Sequence, residues 1–193
     1  ILGLLIKSPE KIRLIGDKSL SKRDFSRVTT PLKKFGARFF YKTKNKLPLS
    51  ILGSKNVKGI KYLENKGSAQ CKSSIMLAAL NASGTTSIKA KKSRNHSELL
   101  FKFLKIPIKI KKTKQYDFID IKEPKKIRSF NYQIPGDISS SAFFMVLTIL
   151  TKNSKLLIKN VNINSSRVGV ITILKKMGAQ ILLKKQRNYR GEK

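Results

Sequence analysis

The 193-residue chain carries 43 Lys+Arg against 10 Asp+Glu, a formal charge of +33, and a field of that size attracts polyanions. Its hydrophobic content of 40% is enough for a real core, and its length fits one or two domains. The single cysteine, Cys71, excludes an intramolecular disulfide and a multi-cysteine zinc site, and fits a reducing compartment.

The lysines are spread along the whole chain, and Ile and Asn are also abundant. Compositional drift on solvated faces therefore outweighs a dedicated nucleic-acid surface as the reading of the charge. The opening run "ILGLLI" has no basic region before it and is far too short to span a membrane. The methionines are Met76, Met145 and Met177, so the chain is expected to begin inside a longer protein.

Three segments in chain order share one rhythm, starting at Ile1, Leu77 and Phe143. Each reads as the end of an apolar helix, a polar turn, a short strand, a loop with Arg, an amphipathic helix and another strand. Aligned on Gly36, Leu104 and Gly178, they recur about every 70 residues. Repeated helix–strand units of this kind give an α/β or α+β layered fold rather than a bundle.

The second segment is introduced by "GSAQCKSSIMLAALNASGTTSI", residues 67 to 88. Ser68, Ala69, Gln70, Lys72, Ser73 and Ser74 open this helix and pure aliphatics follow, so polarity is graded along the axis rather than around it. The wet end is the N-terminal one, where free backbone N–H groups make a site for an anion. In "SRNHSELLFKFL", Asn95 with Glu98 reads as a capping-box variant, and Leu99, Leu100 and Phe103 give the helical apolar spacing. "TTSIKAK", "IPIKIKK" and "LLIKNVNI" alternate apolar with basic residues and read as strands with one wet face.

Residues 122 to 137, "KEPKKIRSFNYQIPGD", break the periodicity, and a domain crossover is expected near Tyr132 to Pro135. Asp137 then reads as a helix cap. In "SSRVGVITILKKMGA", Val168, Ile171 and Leu174 line one face and Gly178 supplies the stop. Helices inside and half-wet sheets outside is the implied arrangement.

No nucleophile–base pair or metal-ligand spacing is visible, and the phosphate-loop and dinucleotide fingerprints are absent. His96 reads as a satisfied polar residue of a helix opening, and Cys71 as a small buried hydrophobe. What remains is an anion constellation. Ser68, Ala69 and Gln70 offer a hydroxyl, backbone N–H groups and an amide. Arg94 stands just ahead of the next helix, and Arg23 in the corresponding loop of the first segment. Arginine holds phosphate or carboxylate through a planar fork. Spacing alone licenses binding of small phosphorylated anions.

Four motifs carry a resemblance to a known family. "GSAQCKSSIMLAALNASGTTSI" resembles the SAQVKSA-LLAGL-A-G-T segment of the 3-phosphoshikimate 1-carboxyvinyltransferases (EPSP synthases). "SRNHSELL" resembles their RDHTE-ML, "YQIPGDISSSAFF" their PGD-SSAAFF, and "GDKSLSKRDFSRVTTPLKKFGA" their GD-SL-KRPM-RV--PL--MGA. The order is right, nearly all of the chain is covered, and the fit is to the glyphosate-tolerant-type branch. The resemblance implies a two-domain fold of βαβαββ units around buried parallel helices, incomplete here. Residues 1–132 would be most of the shikimate-phosphate domain and 133–193 the beginning of the second. It implies transfer of the enolpyruvyl group of phosphoenolpyruvate to the 5-hydroxyl of shikimate 3-phosphate, without metal or organic cofactor, in a cytoplasmic monomer.

By position, the resemblance makes Ser68, Ala69, Gln70 and Arg94 contacts of shikimate 3-phosphate, and Arg23 with Gln70 contacts of phosphoenolpyruvate. It makes Asp137 a cap and crossover residue. The Pro-Met that usually follows Arg23 is here Asp24-Phe25, a carboxylate beside the expected phosphate clamp. The family's Lys-Ser-Arg and GNSGT motifs would precede Ile1, and its catalytic Asp and further Arg and Lys residues would follow Lys193. No catalytic residue is therefore assigned within the segment, and the segment alone is expected to be inactive. Two other readings weigh less. A UDP-N-acetylglucosamine enolpyruvyl transferase normally uses a loop cysteine and lacks the SAQ and RDHTE patterns. A basic nucleic-acid-binding module explains the charge but not the four ordered motifs.

Overall fold

A computed structural model describes all residues from Ile1 to Lys193. The chain separates into two compact units. The first comprises Ile1–Ser93 with Leu104–Ile127, and the second Arg94–Phe103 with Arg128–Lys193.

The first unit holds two sheets. β1 (Lys11–Leu14), β2 (Arg38–Tyr41) and β3 (Leu49–Leu52) form an antiparallel sheet in the order β1-β3-β2. β4 (Lys61–Glu64), β5 (Thr85–Lys91), β6 (Ile108–Lys112) and β7 (Tyr116–Lys122) form a second, in the order β4-β5-β7-β6. β4 and β5 run parallel and the other pairs antiparallel. The strands alternate buried and exposed residues, as in "TTSIKAK", so each sheet keeps one wet face.

The helices lie against the dry faces. α1 (Lys18–Ser21) is a single turn capped by Asp17, whose carboxylate accepts from the Leu20 N–H at 2.6 Å. α2 (Ser26–Lys34) packs on β2 and on α3 (Ala69–Ala79), and α3 in turn packs on β5 and β7. The opening run forms a 3-10 turn, Leu2–Leu5, laid on α3. There Gly3 comes so close that a Cβ built on it would collide with the Ser74 carbonyl oxygen. Ile6, Leu32, Phe35, Ile51, Ile75 and Met76 are sealed between the sheets. Helices inside and half-wet sheets outside is thus the arrangement of this unit.

The second unit is built from α4 (His96–Phe103), α5 (Ile138–Leu150) and α6 (Gly169–Lys176). Phe101, Ile138, Ile171 and Leu174 are its buried apolar residues. Asp137 caps α5 through the Ser139 N–H at 3.0 Å, as the sequence suggests. The segment "LLIKNVNI" does not form the expected strand. Asn160 takes a left-handed φ of 51° in its middle, and only an isolated bridge joins Val161 to Gly136. The strand expected after α6 is absent too. With no sheet over it, α5 buries only Ile138, and Phe143 stays 80% exposed, against the buried helix that its all-apolar run predicts.

The three-fold rhythm survives at the helix ends. The residue that turns left-handed after α2 is Gly36 (φ 96°) and after α6 Gly178 (φ 93°). In the middle repeat it is Lys105 (φ 55°), one residue beyond the Leu104 on which the sequence aligns.

Candidate functional site: the open end of α3

β4, α3 and β5 form a parallel crossover, and α3 starts just beyond the carboxyl end of β4. That edge of a parallel pair is where chain ends and helix N-termini leave room for a ligand. The turn into α3 depends on Gly67, whose φ of +67° suits glycine, and whose side-chain space is closed by the Lys92 carbonyl at 3.2 Å. The loop leaving β4 therefore lies against the first residue beyond β5.

Ser68 is the N-cap. Its Oγ accepts from the Cys71 N–H at 3.2 Å, and its carbonyl accepts from the Lys72 N–H at 3.0 Å. Ala69 and Gln70, the first two helical residues, have no intrahelical acceptor for their N–H groups. Ser68 and Ala69 are half-buried and Gln70 is exposed. From Cys71 onward the helix sinks: Lys72, Ile75, Met76, Ala78 and Ala79 are all buried. The gradient read along the sequence is thus a wet tip on a buried shaft. Lys72 exceeds that reading, being fully buried where a lysine seldom is.

Cys71 is buried and free, as expected of a packing residue. Burial, then the Glu64 carboxylate, push its thiol up to about 11, with Tyr62, Arg27 and Lys66 opposing. Two cations passed over in the sequence reading, Arg27 and Lys66, therefore act on the first turn of α3. They act on Asp24 as well. Its carboxyl is held below the usual range by hydrogen bonds from Ser26 first, and then by Arg27 and Lys66. Its Oδ1 accepts from the Ser26 N–H at 2.6 Å, so this carboxylate is occupied at the opening of α2. The signal for Arg27 was in view, since it stands inside the "KRDFSRV" stretch. Lys66 had no motif to mark it.

Arg23 is exposed in the loop between α1 and α2, its N–H bonded to the Leu20 carbonyl at 3.1 Å. It shares the first unit with Ser68, Ala69 and Gln70. Arg94, also exposed, opens the second unit, where it precedes α4. Around the start of α4 the Asn95 carbonyl accepts from the Leu99 N–H, while its Oδ1 accepts from Asn164 at 3.0 Å and Ser166 at 3.3 Å. His96 Nδ1 lies 2.6 Å from Glu192 Oε1, and Glu192 Oε2 accepts from Asn162 and Asn164. His96 is thus a satisfied polar residue. Burial alone would raise the Glu192 carboxyl, but hydrogen bonds from Asn164, His96 and Asn162 outweigh it and the net direction is down. Asp137 is likewise held low, by the Ser139 N–H first and then by Arg167, which donates to it.

Helix–strand units around a buried helix with an open, polar N-terminus define a class: a layered α/β protein whose crossover helix opens at the end of its parallel strands. The sequence model of EPSP synthase (3-phosphoshikimate 1-carboxyvinyltransferase) matches residues 1–192. A 3-phosphoshikimate 1-carboxyvinyltransferase of Caldicellulosiruptor bescii is 40% identical over 194 residues, 100% of this chain and 45% of that protein. One from Thermotoga sp. (strain RQ2) is 41% identical over 169 residues, 87% of this chain and 39% of its own length. Among solved structures, EPSP synthase from Acinetobacter baumannii superposes with a TM-score of 0.80 at 37% identity, over 99% of this chain and 42% of that one. The chain belongs to the EPSP synthase family. It spans less than half the length of the relatives it matches.

Proposed function

We propose that this chain is the substrate-gripping portion of a 3-phosphoshikimate 1-carboxyvinyltransferase. In that reaction the 5-hydroxyl of shikimate 3-phosphate attacks C2 of phosphoenolpyruvate while C3 is protonated, and loss of phosphate from the tetrahedral adduct leaves the enolpyruvyl ether. Both substrates are phosphorylated anions, so positioning and charge stabilisation are the protein's main contributions. The Ser68 hydroxyl and the Ala69 and Gln70 N–H groups bind the phosphate of shikimate 3-phosphate, with the Arg94 fork as a further ligand. Arg23 and the Gln70 amide hold phosphoenolpyruvate. Arg27 and Lys66 strengthen the positive field at the same helix tip. No metal or cofactor takes part.

The observation that carries this reading is the tip of α3: a capped, partly open helix N-terminus beyond the end of β4, with three small or polar residues in its first turn. Residues 1–132 belong on this reading to the shikimate-phosphate domain and 133–193 to its companion. The enzyme works as a monomer in the cytoplasm. The proton-transfer groups come from outside these residues, so the 193-residue chain binds substrate without turning it over.

Isothermal titration of shikimate 3-phosphate into the chain tests the assignment. Ser68→Ala and Arg94→Ala each weaken binding by about tenfold or more, the usual loss of a hydrogen bond to a charged group, and Arg23→Ala weakens phosphoenolpyruvate instead. Unchanged affinity in Arg94→Ala contradicts the site. Phosphate release from the two substrates by the chain alone contradicts its dependence on outside residues.

A further inference from the structure

The wet face of the four-stranded sheet, opposite α3, is not used by this chemistry. We infer that it is a platform for single-stranded nucleic acid. The register fixes which side chains share it. Leu63, Lys89, Phe118 and Lys111 stand in one row across β4, β5, β7 and β6. Lys61, Ser87, Asp120 and Lys109 form the neighbouring row, and Lys91 pairs with Tyr116 beyond. β5 and β7 bury the alternate residues, and in β4 and β6 Tyr62, Glu64, Ile108 and Ile110 are half-buried or buried on that same side, so these rows point outward together.

Six lysines thus share the face, at 61, 89, 91, 109, 111 and 122, with Asp120 the one acid opposing them. Compositional drift accounts for a basic chain, but not for aromatic rings set among the lysines. Phe118 is 39% exposed and is flanked in its row by Lys89 and Lys111, on strands about 4.8 Å to either side. The Lys89 ammonium lies 4.7 Å from the Tyr116 ring centre and 5.7 Å from that of Phe118. An exposed Phe118 ring and a half-buried Tyr116 ring beside cations on an open sheet suit unpaired bases, which stack on the aromatic surface while lysines meet the phosphates. A duplex hides its base faces and offers only charge. The surface therefore selects single strands, and does so without reading sequence. This inference stands apart from the α3 site, because the two lie on opposite sides of the sheet.

Fluorescence anisotropy with a labelled 20-nucleotide oligouridine tests it on the full chain, across a range of KCl concentrations. Phe118→Ala weakens binding about tenfold, the range set by loss of one stacked base, and Phe118→Leu, which keeps the apolar bulk, does the same. Lys89→Glu with Lys111→Glu lowers the log–log salt slope by about 1.4, two phosphate contacts' worth on a single strand. Lys152→Glu with Lys155→Glu makes the same charge change on exposed residues elsewhere and leaves affinity within about twofold. Saturating shikimate 3-phosphate does not displace the RNA. Equal losses in both charge reversals, equal affinity for a duplex, or binding to phosphatidylserine vesicles with none to oligouridine would each overturn the platform.

Discussion

Ile75 and Ser68 separate the two jobs assigned to α3. Ile75 is fully buried in the shaft, so Ile75→Ala removes three carbons from the core. At ~0.8 kcal/mol for each, transfer alone costs ~2.4 kcal/mol, and the residual cavity brings the total to about 3–4 kcal/mol. For a chain of this length that is a fall in Tm of about 6–16 °C. Ser68→Ala removes only the cap that holds the Cys71 N–H, about 1 kcal/mol, and so lowers Tm by about 2–4 °C. Binding responds in the opposite order. Ser68→Ala loses a hydroxyl at the phosphate and weakens shikimate 3-phosphate about tenfold or more, while Ile75→Ala, measured well below its Tm, stays within about threefold of the parent. Circular dichroism melts and isothermal titration on the same preparations supply both readings. If Ile75→Ala weakens the ligand as much as Ser68→Ala does, α3 is not divided into tip and shaft and the reasoning fails.

Three further outcomes follow from individual contacts. Gly3→Ala drives a methyl group into the Ser74 carbonyl and costs about 1–3 kcal/mol, read as a lowered urea midpoint with an unchanged slope. Cys71, buried and with its thiol raised to about 11, resists a thiol reagent at pH 8 until denaturant is added, and rapid labelling of the native chain would contradict its placement. Because Glu192 titrates below its ordinary value in the folded chain, its contribution is present above that value and fades as pH falls through the lowered one. Glu192→Gln is therefore less stable than the parent at pH 7 and converges with it in acid melts.

Much of this molecule is legible in its sequence where a local rule has one physical solution. Ser68 and Asp137 cap their helices because a short oxygen side chain before an apolar run has few other uses. The alternation in "TTSIKAK" fixes a one-sided strand, and its lysines fall on the wet face. Failures occur where partners decide. "LLIKNVNI" has a strand's pattern, but a strand needs a neighbour, and this one turns left-handed at Asn160 and makes a single bridge, at Val161. The all-apolar run of α5 predicts burial, yet burial requires a covering layer that residues 128–193 do not form. Asp24 shows the same limit at the candidate site. Beside Arg23 in sequence it reads as a competitor for the phosphate clamp, but in space it holds the opening of α2 and faces Arg27 and Lys66.

The central claim is that the first turn of α3 receives the phosphate of shikimate 3-phosphate. Titration of the 15N-labelled chain with that compound tests it at single residues. The account predicts that the amide signals of Ala69 and Gln70 move first and saturate together, while those of Ile75 and Met76 stay in place. Saturating shifts centred elsewhere, with the α3 tip unmoved, would contradict it.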